Sequence, residues 1–148
     1  MYRLESLTMH NELLDAQHKE LYELAKRITH LNSSFVLSKE LKPFLRELLS
    51  FMNRHFVDEE EFMLQINYPN LSEHKKIHRK IILEIEEIII TEAKILNTMS
   101  RKIENVVTDL IFKHTAKEDY KTPNFMKKIS STKAKFKQDF INFCYYPL

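Results

Sequence analysis

The residues of this chain best suited to metal chemistry recur at helical spacing. His55 and Glu59 are four apart, His74 and His78 are four apart, and His18 and His114 stand on segments of their own. Side chains four apart on a helix project from one face on successive turns, so each pair can reach a common point. All six lie on the apolar stripe of their segment. There an unpaired carboxylate is costly to bury, and an imidazole needs its ring nitrogens satisfied. One histidine so placed is ordinarily a hydrogen-bonded core residue. The same exception on four segments points to a shared cation.

A seventh ligand is open on spacing. Asp119 stands five residues after His114, which on a regular helix turns it away from the histidine. It could join the others through a one-residue π-bulge or from a fraying helix end, whereas Glu118 keeps the regular four-residue spacing. Five imidazoles and two carboxylates are too many for one tetrahedral ion, but two ions bridged by carboxylates would accommodate them. Imidazole suits iron, copper, zinc and nickel alike, so composition leaves the metal undecided.

Four helical segments must position these groups. Apolar residues at helical spacing run from about Asn11 to Leu31, from between Ser38 and Pro43 to Ile66, from Leu71 to about Leu96, and from Ile103 to a stop before Pro123. Proline is expected only in a first turn, and the residue before a proline avoids helical geometry. Ser72 is expected to cap the third helix, and Asn97-Thr98-Met99-Ser100 to separate the third from the fourth. Short connections predict an all-α, up-down-up-down antiparallel four-helix bundle. Beyond Pro123, Phe125, Ile129, Phe136, Phe140 and Phe143 recur at helical spacing among lysines, consistent with either an extra amphipathic helix or a basic tail.

Composition agrees with helices. The chain has 148 residues, no glycine and four prolines, so it has few of the residues on which hairpins depend. One domain is expected at this length, residues 1–122 forming the bundle and 123–148 an extension. The N-terminus shows no secretion signal and no apolar run reaches the roughly 18 residues of a membrane span, so a cytoplasmic location without membrane association is expected. Cys144, the single cysteine, lies far from the histidines and argues for neither a disulfide nor a thiolate site. The net charge of +2 is uneven: residues 120–148 hold six lysines and one acid, against 17 bases and 20 acids elsewhere. No base-reading motif accompanies the basic tail, so no nucleic-acid partner is expected.

Over about residues 8–120 these motifs resemble the hemerythrins, especially the bacterial single-domain type. Asp15-Ala16-Gln17-His18-Lys19 resembles the first-helix motif, and His55-Phe56-Val57-Asp58-Glu59-Glu60-Glu61-Phe62-Met63 the H-F-x-x-E-E-x-x-M of the second. Tyr68-Pro69 with His74 and His78 resembles the third, and His114 with Asp119 the H-x-x-x-x-D of the fourth. The resemblance favours Asp119 over Glu118, and iron over the other metals. It implies two irons joined by an oxo or hydroxo bridge. His74, His78 and His114 would hold one iron, His18 and His55 the other, and Glu59 and Asp119 would bridge them. The two-histidine iron keeps an open position for dioxygen.

Reversible binding needs a dry pocket, for which Phe56, Leu110, Ile111 and Thr115 are the candidate lining residues. Leu110 and Thr115 depart from the family's usual Trp and bulky aliphatic. The Thr115 hydroxyl could reach bound oxygen or admit water, or it could bond back to its own helix. Asn67 replaces the usual Gly before the Tyr-Pro pair and can still adopt left-handed geometry. His10 and His30 are read as surface residues. The expected function is reversible dioxygen binding for storage, delivery or scavenging, without enzymatic turnover. The alternatives are an oxygen or redox sensor that signals through the extension to a protein partner or a second copy, and a di-iron oxidase, peroxidase or nitric-oxide-handling enzyme.

Overall fold

A computed structural model of the chain describes residues 9, 11–33, 38–91, 96–107, 113–115, 121–122 and 124–127. Among them there are helices and no strands: α1 (Glu12–Ser33), α2 (Ser38–Gln65), α3 (Leu71–Ile90) and α4 (Leu96–Asn105). α1 and α3 each pack against both α2 and α4. Successive helices run in opposite senses, as residue pairs show. On α1 and α2, Gln17 meets Asp58 whereas Arg27 meets Glu47. Across α3, Glu87 meets Lys102 whereas His78 meets His114.

The ends of these helices follow from local chemistry. At the start of α1 the Asn11 side-chain oxygen accepts the Leu14 backbone N–H at 3.1 Å, satisfying a donor that the helix itself cannot. α2 ends on a Schellman turn, in which the N–H of Tyr68 donates to the Met63 carbonyl at 2.9 Å and that of Asn67 to Leu64 at 3.0 Å. This turn requires a left-handed residue. With no glycine in the chain, Asn67 supplies it at φ 54°.

Four sequence expectations give way here. Asn70, rather than Ser72, stands at the cap position of α3; the Asn70 carbonyl already accepts from the His74 N–H at 3.0 Å, so Ser72 is inside the first turn. The break before α4 falls earlier than Asn97. α3 closes at Thr91, which is extended at ψ 129° and whose hydroxyl donates to the Glu87 carbonyl, and residues 97–100 belong to α4. Pro43 lies in the second turn of α2 rather than the first; packing of Leu41 and Leu45 outweighs one forgone backbone bond. Thr122, directly before Pro123, is likewise helical.

Two apolar clusters fill the interior. The larger joins Leu21, Ala25 and Ile28 of α1 with Leu45, Leu48 and Met52 of α2, Ile81, Ile85 and Ile88 of α3, and Ile103 and Val107. The smaller joins Met9, Leu14, Met63 and Tyr68, with Phe125 edge-on to Tyr68 at 5.5 Å between ring centres. Along each helix the polar residues singled out above fall between the two clusters. His18 follows Leu14 and precedes Leu21; His55 and Glu59 separate Met52 from Met63; His74 and His78 precede Ile81. No described helix is long and apolar enough to cross a membrane.

Candidate metal centre

The buried stripe of α2 runs Leu41, Leu45, Leu48, Met52, His55, Glu59 and Met63 at steps of three and four, so helical periodicity alone places His55 and Glu59 inside. α3 repeats the device with His74, His78, Ile81, Ile85 and Ile88. α1 contributes His18, and the segment around residue 114 contributes His114. All five histidines are buried, and Glu59 is 0% exposed.

These side chains meet. Their ligand atoms form two groups, Glu59 with His74, His78 and His114, and Glu59 with His18 and His55, each within a span of 4.8 Å. Glu59 Oε2 lies 3.1 Å from His78 Nε2 and 3.3 Å from His74 Nε2, and His78 Nε2 lies 2.9 Å from His114 Nε2. Donor atoms held at about 2.0–2.2 Å by one ion sit roughly 3 Å from one another, so the spacing suits a metal. In the second group His55 Nε2 lies 4.0 Å from Glu59 Oε2, and the His18 and His55 rings meet edge-on at 4.9 Å.

The hydrogen bonds test that fit. His78 Nδ1 lies 2.8 Å from Glu60 Oε1, and a carboxylate only accepts, so Nδ1 carries the proton. A neutral His78 therefore turns an unprotonated Nε2 toward the Glu59 carboxylate, two acceptors 3.1 Å apart. The alternatives are an imidazolium packed among two more imidazoles, or a protonated Glu59 buried in the core. A cation between the two groups removes the need for either, and the residues fit one.

The backbone at His114 departs from a regular helix. His114 and Thr115 have π-helical geometry, as do Val106 and Val107. Such a turn inserts a residue and brings positions five apart toward one face, the geometry one of the two readings of Asp119 requires. Asp119 itself, with Glu118, Leu110, Ile111, His10 and Cys144, lies outside the described residues. Phe56 is buried with its ring stacked on His78 at 3.6 Å and 10°, and it also touches the rings of His55 and His114. Thr115 is buried, and His30 is exposed.

A model of the hemerythrin HHE cation binding domain matches residues 9–122. The chain belongs to the hemerythrin family. Among hemerythrins it is 55% identical over 127 residues to a bacteriohemerythrin of Campylobacter jejuni strain 81-176, covering 86% of this chain and 96% of that protein. It is 36% identical over 78 residues to the myohemerythrin of Theromyzon tessulatum, covering 53% and 59%, and 30% identical over 82 residues to a Clostridium acetobutylicum bacteriohemerythrin, covering 53% and 64%. No solved structure matches the chain.

Three side chains of this hemerythrin escaped the functional reading of the sequence: Gln17, Asp58 and Glu60. Glu60 meets His78 as described and is itself paired with Lys75 at 3.4 Å. Gln17 meets His55 and Asp58. Their signal was adjacency, since Gln17 precedes His18, Asp58 precedes Glu59 and Glu60 follows it; a ligand search by residue type passes over Gln17, and the apolar-stripe criterion passes over Asp58 and Glu60.

Proposed function

We propose that this hemerythrin holds two non-haem irons and binds dioxygen reversibly, for storage, delivery or scavenging in the cytoplasm, as a binding protein rather than an enzyme. The observation that carries the reading is the sharing of Glu59 by two separate groups of ligand atoms, the arrangement expected of a carboxylate between two ions. His74, His78 and His114 would hold one iron and His18 and His55 the other, with Asp119 as the second bridge and an oxo or hydroxo group completing the pair. Such an iron pair, when bound, supplies the electrons by which dioxygen is held and released.

The chain's own residues do the rest. Three imidazoles against two leave one side with fewer protein ligands and room for a small molecule. Phe56 covers His55, His78 and His114 with an apolar ring, and the clusters above and below, ending in Leu21 and Met52 on one side and Leu14 and Met63 on the other, keep water from the polar layer. Exclusion of water and stray protons preserves reversibility. Leu110 and Ile111 are proposed to extend that lining. The test combines metal analysis with gas exchange: two irons per chain and one dioxygen taken up per pair and released under vacuum are expected. Sustained oxidation of a reductant would overturn the carrier reading, and absence of iron from protein purified from cells would overturn the centre itself.

A further inference from the structure

The proton positions on His55 can be read outward from Asp58. Its carboxylate Oδ2 lies 2.6 Å from the Gln17 side-chain nitrogen. A carboxylate can only accept, so Gln17 presents its NH2 to Asp58, and its amide oxygen must face the other way, toward His55 Nδ1 at 2.9 Å. That oxygen can only accept, so the His55 proton resides on Nδ1. His55 Nε2, the atom on the Glu59 side at 4.0 Å, is thereby the unprotonated nitrogen of the ring. Gln17 and His55 are both buried, whereas Asp58 is half-buried at the rim.

We infer that Gln17, oriented by Asp58, is a positioning residue that presets His55 as an Nε2 metal donor before any metal arrives. The inference rests on the metal reading above but concerns a residue that touches no metal. The same helix turn thus serves one side of the centre twice: His18 projects from it, and Gln17 next to His18 fixes His55 across the α1 and α2 interface. The other side is built differently, because His78 has the carboxylate of Glu60 directly on Nδ1. A ligand histidine held by its outer nitrogen is fixed in orientation and tautomer, and loss of such a partner typically weakens metal binding about 10- to 100-fold.

Nitrogen NMR of the metal-free protein at pH 8 and titration with cobalt(II) together test it. In the wild type His55 should be a single Nδ1–H tautomer, and in Gln17→Ala it should become the mixture of an unconstrained imidazole. Gln17→Ala should bind the second cobalt about 10- to 100-fold more weakly with the first unchanged. Asp58→Asn, a change at the half-buried rim, should weaken the same step less. Gln17→Glu places two carboxylates together, and the double variant Gln17→Glu/Asp58→Asn should restore the second site, because an amide then donates to the carboxylate that holds His55. Wild-type tautomer and wild-type second-site affinity in Gln17→Ala, or in Asp58→Asn should the first variant not fold, would overturn the inference. A wild type that binds fewer than two cobalt ions while retaining the single tautomer would instead overturn the two-metal reading.

Discussion

Glu59 Oε2 stands 3.1 Å from His78 Nε2 on one side and 4.0 Å from His55 Nε2 on the other, so one carboxylate near the end of α2 is common to two groups of candidate ligands that also draw on α1 and α3. If the centre holds two metals as proposed, Glu59→Ala is therefore expected to release both, not one. His18→Ala removes a ligand from a single group and should leave about one metal per chain. Metal content by mass spectrometry of the purified variants checks the contrast; a Glu59→Ala protein that keeps a full complement would remove Glu59 from the bridging role.

The metal should also carry the pH dependence of stability. Imidazole binds metal only when deprotonated, so protons would compete for the five proposed histidine ligands at once. The direction follows: the stability that metal adds is present above the ordinary histidine range, about pH 6.5, and is lost as pH falls through and below it. The melting temperature of the iron-loaded protein should exceed that of the chelator-treated protein at about pH 7.5, and the gap should close by about pH 5. A gap independent of pH would contradict ligation by histidine.

Thr115 adjoins His114 inside the bundle, where the family's usual residue is a bulky aliphatic. On the proposed oxygen-binding reading, removing its hydroxyl takes away a polar group that would otherwise admit water or reach the bound gas. Thr115→Ile should slow autoxidation of the oxygenated protein several-fold, followed by the decay of its visible absorption; equal rates would show that the hydroxyl is satisfied by its own helix.

Asn67 at φ 54° closes α2 in the turn that leads to Tyr68. Gly at this position should be neutral or slightly stabilising. A β-branched residue pays the left-handed penalty of about 1–2 kcal/mol, and Asn67→Val should lower stability in urea unfolding by that amount. Because the turn lies one helical turn beyond Met63, metal stoichiometry should be unchanged.

Much of this was legible in the sequence because helices translate spacing into direction. The four-residue steps from His55 to Glu59 and from His74 to His78 put each pair on an apolar stripe, and the stripe fixed what faced inward. The all-helical fold was legible for a similar reason, since a chain without glycine or alternating apolar residues has little else to build. Boundaries were harder to read. Ser72 and Asn97 looked like punctuation, but capping is decided by which backbone groups already have partners, and residue type does not record that. The supporting layer was hidden as well. Gln17, Asp58 and Glu60 resemble ordinary surface polar residues until α1, α2 and α3 are packed, because their partners lie 18 to 41 positions away.

The polar layer between the two apolar clusters has a consequence for the life of the molecule. α1, α2 and α3 each give up core positions to imidazole or carboxylate, so the two apolar clusters are joined across a layer that is largely polar. Cations held there would tie α1, α2, α3 and the segment around His114 together across that layer. Survival of the chain in a cell would then follow the supply of iron, with apo-protein the form that opens first and meets proteases soonest.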